Sequence, residues 1–201
     1  MSDRREAGFT LIELLIVIAI IALLMGLVTF AIQSAQKKSK IVQTQNDISN
    51  FRSALKSFNT DTGNYPGFSD PVDESDLESL NSFPALFTAI FYDRKNGGGP
   101  NGPYIEDVKR DRVLVFDEDA SSPDKRFVRA NNDEFEDSKL KKYFADAWLA
   151  PYIYRENASK PTKRPYMISR TYDLYSTGPD RLNQSADGIS ENKNDDIGNW
   201  Q

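Results

Sequence analysis

Residues 9–30 read FTLIELLIVIAIIALLMGLVTF, and this apolar stretch decides the architecture of the chain. It contains 22 residues, and Glu13 is the only charged one among them. At about 1.5 Å of rise per residue, a helix of this length spans roughly 33 Å, enough to cross the hydrocarbon core of a membrane. A cleavable secretory signal would have a shorter apolar run that ends in small residues. The stretch therefore predicts a membrane anchor.

Glu13 is the unusual residue of the anchor, because a carboxylate inside an apolar segment costs several kcal/mol unless it is paired. In one interpretation, Glu13 lies near the membrane surface and extends its carboxylate to water. In the other, the chain is cut after Gly8, which ends the polar segment MSDRREAG. Phe9 would then carry a new N-terminal ammonium, one helical turn from Glu13 or beside the Glu13 of a neighbouring subunit. Such a pair would neutralise both charges in the lipid and set the register between subunits.

The remainder of the 201-residue chain is polar, with a length that suits one ordinary domain after the anchor. The formal net charge of the whole chain, −5, leaves no basic surface of the kind that binds nucleic acid. The chain contains no Cys and no His. This excludes disulfides, metal sites built on thiolate or imidazole, Cys nucleophiles and His-based acid–base catalysis.

The helix that begins in the anchor is predicted to continue well beyond it. Apolar residues recur at steps of seven, three, four and three, which is one stripe on a helix, at Ile41, Ile48, Phe51, Leu55 and Phe58. The polar residues between them are expected to face water, namely Lys38, Asp47, Arg52 and Lys56. Residues 61–66 read DTGNYP, a stop signal. We therefore expect one helix from about Thr10 to Asn59, with a globular domain packed on its second half.

The middle of the chain carries weaker signals. A short helix is expected around residues 86–91, with Ser82 as a candidate cap, and residues 96–103 form a glycine-rich loop. Strands are expected at Arg112–Phe116 and Arg126–Arg129, and the charge run of residues 117–142 as a solvated face. We expect residues 67–145 as a whole to elaborate the surface. Aromatic runs at 151–154, 166–168 and 172–176 predict a small antiparallel sheet.

Three carboxylates close to a Gly-Pro turn could bind calcium, which prefers six to eight hard oxygen ligands. They are Asp180, Asp195 and Asp196. An EF-hand is excluded, because the alternating Asp/Asn pattern with its fixed Gly and terminal Glu is missing. On composition alone an acidic loop is more often simply solvated.

The segment Gly8-Phe9-Thr10-Leu11-Ile12-Glu13, followed by an apolar helix, resembles the prepilin signature of type IV pilins and type II secretion pseudopilins. The resemblance implies that a membrane peptidase cuts between Gly8 and Phe9, that Phe9 is N-methylated and that Glu13 guides assembly. It also places residues 1–8 in the cytoplasm. The positive-inside rule by itself is indecisive or favours the reverse, because lysines at 37, 38 and 40 follow the anchor.

Residues 146–152, 172–180 and 195–200, with DTGNYP at 61–66, resemble the major pseudopilins of type II secretion. In that family the loop between the last strand and the C-terminus binds one calcium ion. The resemblance implies side-chain ligands Asp180, Asp195 and Asp196. The implied carbonyl ligands are Tyr175, Thr177 and Leu182. The chain departs from the family pattern at several positions, namely Ala147, Leu149, Ala150, Thr177 and Arg181.

The expected fold is therefore α+β and pilin-like, with a long N-terminal helix on a small antiparallel sheet and a calcium-binding C-terminal loop. Its expected parts are a leader (1–8), a transmembrane helix that also forms the filament core (9–32), an amphipathic continuation (33–59) and a periplasmic globular domain (60–201) that includes the variable insertion 67–145. The expected function is structural rather than enzymatic, as a subunit of a periplasmic pseudopilus that drives the export of folded proteins. The implied partners are copies of the chain itself, minor pseudopilins, prepilin peptidase and the inner-membrane assembly platform.

Two alternatives remain open from the sequence. The nearer is a type IV pilin or minor pilin for adhesion, motility or DNA uptake, although the usual pilin has a C-terminal disulfide loop that a chain without cysteine cannot form. The further is a membrane-anchored enzyme that uses paired carboxylates such as Asp195 and Asp196. Adjacent carboxylates without His or a pocket motif argue against it.

Overall fold

A computed structural model of the chain describes residues 11–67, 85–106, 108–117, 119–120, 126–156, 171–181 and 195–200. Two units are distinguished, residues 1–40 and residues 41–201. Two features expected from the sequence, the cap at Ser82 and the aromatic run at 166–168, lie outside the described residues.

Helix α1, Leu11–Thr62, confirms the single long helix expected from about Thr10 to Asn59. It ends three residues later than expected, and residue 10 lies outside the described range. The stop signal acts through Gly63, whose φ of 80° is left-handed and whose N–H donates to the Asn59 carbonyl at 2.8 Å. The Thr62 hydroxyl donates to the carbonyl of Phe58 at 2.8 Å, which satisfies another terminal acceptor.

The first unit carries the apolar part of α1. In the part of the chain that the structure describes, α1 is the one helix long and apolar enough to cross a membrane, with a mean hydropathy of 3.1 in its best window. Large apolar side chains there are exposed, as in Leu11 (84%) and Phe30 (78%). Exposure on this scale requires a cover of lipid or of other helices, in agreement with the predicted anchor.

The described residues of the second unit form two short α-helices, two single-turn 3-10 helices and two three-stranded antiparallel sheets. The helices are α2, Ala85–Phe91, and α3, Asn132–Glu136. One sheet has the order β2-β1-β3, formed by β1 Val113–Phe116, β2 Phe127–Arg129 and β3 Lys142–Phe144. The other has the order β4-β5-β6, formed by β4 Ile153–Glu156, β5 Tyr172–Ser176 and β6 Ile197–Gly198.

The apolar stripe of α1 forms one side of the core, as expected. Ile48, Phe51 and Leu55 are buried, and Ile41 and Phe58 pack against the same cluster. The ring centroid of Phe51 lies 4.7 Å from that of Phe144 and 5.1 Å from that of Tyr152. Burying a side chain of this kind contributes roughly 1.5–3 kcal/mol, so the stripe holds the helix on the sheets.

The described parts of residues 67–145 do more than elaborate the surface, and that expectation is wrong for them. Leu86, Phe87 and Ile90 of α2 are buried with Val113 and Leu114 of β1 in the same core cluster as the α1 stripe. The helix around 86–91 and the strands near 112–116 and 126–129 are confirmed as elements. What the sequence did not indicate is that they complete the core.

Lys142 is an exception to the solvated charge run expected at 117–142. The residue is 1% exposed, and its Nζ donates to the Tyr92 hydroxyl at 2.8 Å and to the backbone carbonyl of Asp137. Burial lowers the pKa of Lys142, and the nearby Asp137 and Glu136 oppose that change. Its position in β3 at the edge of the core, next to Tyr143 and Phe144, decides its burial.

Asp47 also differs from its expected position facing water. Its Oδ2 accepts hydrogen bonds from Arg112 Nη2 at 2.5 Å and from the Tyr152 hydroxyl at 2.9 Å. Arg112 donates in addition to the Ala145 carbonyl from Nε at 2.8 Å. Lys38, Arg52 and Lys56 are exposed, as expected. Asp47 therefore ties α1 to the segments around β1 and β4.

Candidate functional site

The N-terminal candidate residues fall partly within the described chain. Gly8 and Phe9 lie outside it. Glu13 lies in the first turn of α1 and is exposed, as are the apolar residues around it. A carboxylate in the first turn suits the positive end of the helix dipole, and a nearby ammonium would suit it further.

The C-terminal candidate loop begins where β5 ends. Thr177 and Gly178 are buried, and Asp180 is exposed. Strand β6 returns antiparallel to β5, pairing Ser176 with Ile197. This pairing brings Asp195 and Asp196, the two residues before β6, to the side of the turn at 177–180. Sequence reasoning missed β6, because two residues carry no periodic signal.

Gly178 shows how closely the two segments approach. Its φ of 69° is left-handed, and a Cβ placed on it would lie 2.5 Å from the Asp195 carbonyl oxygen. No other residue type fits this position without displacing the Asp195 backbone. The glycine therefore holds the turn and Asp195 in direct contact.

The structure brings together two of the three predicted carboxylates. Burial raises the pKa of Asp195, and the adjacent Asp180 carboxylate raises it further. Asp196, directly before β6, is 2% exposed. One carboxylate oxygen of Asp195 and one of Asp196 are buried. Among the described residues no group of three or more acidic side chains forms a metal cluster. The three-carboxylate ligand set stays a prediction.

The predicted carbonyl ligands are placed in part. Tyr175 and Thr177 are buried within the loop segment, and Leu182 lies outside the described residues. The hydroxyl oxygen of Thr177 is buried and has no hydrogen-bond partner among the described residues. The neighbouring Asp180 and Asp195 carboxylates and the buried oxygens of Thr177 and Asp196 are hard donors of the kind that calcium accepts. The described residues therefore fit that ion.

Asp146 makes a buried polar network beside this loop. It is 0% exposed, and its Oδ1 accepts from the N–H of Trp148 at 2.8 Å and of Ala150 at 2.9 Å. Its Oδ2 accepts from the Ser176 hydroxyl at 2.5 Å, and the Gly178 N–H donates to the same hydroxyl oxygen at 3.0 Å. Burial raises the pKa of Asp146, and these hydrogen bonds oppose the rise. Sequence reasoning included Asp146 only as part of a resemblance, since no local signal links it to Ser176.

Comparisons with known proteins agree with this geometry. Residues 3–29 match the family model described as the prokaryotic N-terminal methylation motif. The type II secretion system core protein G of Pseudomonas aeruginosa is 27% identical over 200 residues, which cover 100% of this chain and 99% of that protein. The chain is similar to a type II secretion pseudopilin over its whole length. Its long N-terminal apolar helix and small antiparallel sheets are the pilin-like α+β fold expected.

Two of the positions where the chain departs from the pseudopilin pattern fall on left-handed backbone. Leu149 has a φ of 62° and Arg181 a φ of 60°. Glycine adopts this conformation without strain, whereas other residues pay roughly 1–2 kcal/mol. Arg181 offsets part of this cost, because its guanidinium donates to the carbonyl of Trp148.

The C-terminal residues Asn199 and Trp200 pack against strand β5. Asn199 makes two hydrogen bonds with Leu174. The Asn199 backbone N–H donates to the Leu174 carbonyl at 2.9 Å, and the Leu174 N–H donates to Asn199 Oδ1 at 3.0 Å. Its Nδ2 donates to the Tyr172 carbonyl at 3.1 Å. The ring of Trp200 packs on Tyr175 at 5.3 Å. These contacts anchor the C-terminal end of the candidate loop.

Proposed function

We propose that the chain is a structural subunit of the periplasmic pseudopilus of a type II secretion system. The observation that carries the proposal is the joint occurrence of the methylation motif at residues 3–29 and a likeness to a core secretion protein over the whole chain. Subunits polymerise through their apolar helices, and the growing filament drives folded proteins across the outer membrane. The role is structural rather than enzymatic.

The N-terminal segment would act first in the membrane. Prepilin peptidase cuts after Gly8, and Phe9 becomes the N-methylated terminus. With residues 1–8 in the cytoplasm, the helix is anchored in the inner membrane and the folded unit lies in the periplasm. The exposed apolar side chains of α1 are covered by lipid before assembly and by neighbouring α1 helices afterwards.

Glu13 would pair with the terminal ammonium of Phe9 in a neighbouring subunit. A buried unpaired carboxylate is costly in this environment, so the pair selects the correct stagger between helices. The further partners are minor pseudopilins and the inner-membrane assembly platform. The runner-up function, a pilin for adhesion, motility or DNA uptake, has no specific observation in its favour.

Deletion of the gene tests the proposal. Exported proteins are expected to accumulate folded in the periplasm while surface pili and surface motility remain. Complementation with the unaltered chain should restore export, and Glu13→Ala should insert in the membrane without forming filaments. Intact export with lost pili or motility would identify a pilin instead.

We propose that the loop between β5 and the C-terminus binds one calcium ion. Its side-chain ligands are Asp180, Asp195 and Asp196, and its carbonyl ligands come from the segment 175–182. Calcium would neutralise the repulsion between the Asp180 and Asp195 carboxylates and order the loop. Binding stabilises the folded state by about 2.7 kcal/mol at a hundredfold excess of ligand over Kd.

Thermal unfolding of the full chain in detergent micelles tests this site, with Trp fluorescence as the signal. Calcium should raise the melting temperature relative to a chelator, and magnesium should do so less, because it demands a smaller octahedral site. Asp196→Ala should abolish the calcium effect, whereas the exposed Asp133→Ala should keep it. Equal melting with calcium and with chelator would refute the site.

A further inference from the structure

The turn at residues 146–150 packs directly against the loop that carries the candidate calcium ligands. Asp146 organises this turn, since its Oδ1 accepts from the N–H groups of Trp148 and Ala150 while its own N–H donates to the Ala150 carbonyl at 2.8 Å. One carboxylate oxygen is thereby used within the turn. The other, Oδ2, is aimed out of the turn at Ser176.

The Ser176 hydroxyl links Asp146 to the loop by two hydrogen bonds. It donates to Asp146 Oδ2 at 2.5 Å, so its lone pairs are left to accept, and the Gly178 N–H donates to them at 3.0 Å. Ser176, Asp146 and Gly178 are all buried, so water does not compete for these bonds. An ionised carboxylate only accepts and a backbone N–H only donates, so the Ser176 hydroxyl donates to Asp146 and accepts from Gly178.

Gly178 in turn touches Asp195, whose carbonyl oxygen would lie 2.5 Å from a Cβ at that position. The chain of contacts thus runs from Asp146 through Ser176 and Gly178 to Asp195, and Asp180 follows Gly178 by two residues. The first two steps are hydrogen bonds between buried residues, and the third is a close approach of the Gly178 and Asp195 backbones. Displacing the first member would therefore shift the spacing between the two carboxylates.

We infer that Asp146 is a positioning residue for the calcium loop, acting through the Ser176 hydroxyl to set the Gly178 turn before the metal binds. The inference rests on the calcium site proposed above. Groups that orient metal ligands without touching the metal typically change affinity by roughly 10–100-fold when removed. Asp146 is 0% exposed and directs its two oxygens at the turn and at Ser176, so we assign it a positioning role and no direct contact with the metal.

Calcium titration of the full chain in micelles, followed by calorimetry, tests the affinity. Asp146→Asn replaces the Oδ2 acceptor with an N–H donor while keeping an oxygen for Trp148 and Ala150. Ser176→Ala removes the relay itself. Each is expected to weaken calcium binding about tenfold, and the double variant no further, because both act through one path.

Amide exchange in calcium-free protein supplies a second readout. The Gly178 N–H is expected to be protected in the unaltered chain and to exchange at least about tenfold faster in Asp146→Asn. Ser176→Thr keeps the hydroxyl and should restore protection relative to Ser176→Ala. Matched controls make the same chemical changes on exposed helices, Asp133→Asn and Ser53→Ala, and should alter neither readout.

The outcomes separate the two proposals. If the unaltered chain binds no calcium, the calcium site is wrong and this inference with it. If it binds calcium and Asp146→Asn changes neither affinity nor Gly178 exchange, the site stands and the positioning role is refuted. Additive losses in the double variant would also refute it, since they would mean that Asp146 does not act through Ser176.

Discussion

Removing the carboxylate of Asp47 should destabilise the domain far more than its place on the polar side of α1 suggests. Asp47 Oδ2 accepts from Arg112 at 2.5 Å and from the Tyr152 hydroxyl at 2.9 Å, with side-chain exposures of 25% for Asp47 and 18% for Arg112. Burial raises the pKa of Tyr152 well above its ordinary value, and the nearby Asp47 carboxylate raises it further. The phenol therefore keeps its proton and donates the hydrogen bond. Both donors lose their acceptor in Asp47→Ala.

The expected cost follows from these two contacts. A hydrogen bond to a charged group contributes roughly 1.5–3 kcal/mol, and a buried group left unsatisfied costs about 1–3 kcal/mol. Arg112 keeps its hydrogen bonds to the Ala145 carbonyl and some access to water. The expected loss of stability therefore lies near the lower end of these added contributions. We expect the free energy of unfolding to fall by about 3 kcal/mol and the melting temperature by roughly 6–12 °C.

The assay is thermal and urea unfolding of the full chain in detergent micelles. A double-mutant cycle between Asp47→Ala and Tyr152→Phe should give a coupling energy of about 1 kcal/mol, because the residues share one hydrogen bond. Lys56→Ala, on the exposed face of the same helix, is the matched control and should change stability by no more than about 0.5 kcal/mol. A loss no larger than that of the control, or no coupling, would refute the idea that Asp47 ties α1 to the sheets.

Three further substitutions test the core, the loop and a helix cap. Leu55→Ala, at a side chain that is 0% exposed, should cost about 2–5 kcal/mol in urea unfolding, and a loss under about 1 kcal/mol would mean that the helix stripe is not the core. Gly178→Ala adds a Cβ 2.5 Å from the Asp195 carbonyl oxygen and should lower the melting temperature and calcium affinity together; retention of both would show that the turn adapts. Asn131→Ala removes a capping box with Glu134 and should lower the free energy of unfolding in urea by about 0.5–2 kcal/mol. Asn131→Ser keeps a good capping residue and should retain most of the stability.

Some features of the protein could be predicted because their cause is local. The anchor follows from a continuous apolar run, the amphipathic half of α1 from residues at helical spacing, and the end of the helix from a glycine with left-handed backbone. β1 was likewise predictable from a short run of Val, Leu and Phe. Each of these signals lies within a few residues of the structure it produces.

The candidate site was predictable only in its residue types. The sequence indicated acidic residues near a Gly-Pro turn, and the resemblance supplied their suggested roles. Sequence reasoning did not indicate that Asp146 would be buried against Ser176, 30 residues away. Nor did it indicate that the departures at 149 and 181 fall on left-handed backbone.

The sequence by itself determined that the chain begins its long helix with a stretch apolar enough to cross a membrane and continues into a polar α+β domain, because hydropathy and helical period act along the chain. Only the tertiary structure decided that Lys142 is buried, that Asp47 joins Tyr152 across 105 residues and that Asp195 lies on Gly178. These depend on which strands pair and which face of α1 they cover. Such contacts connect residues far apart in sequence, and their energies depend on burial and geometry that no local pattern encodes.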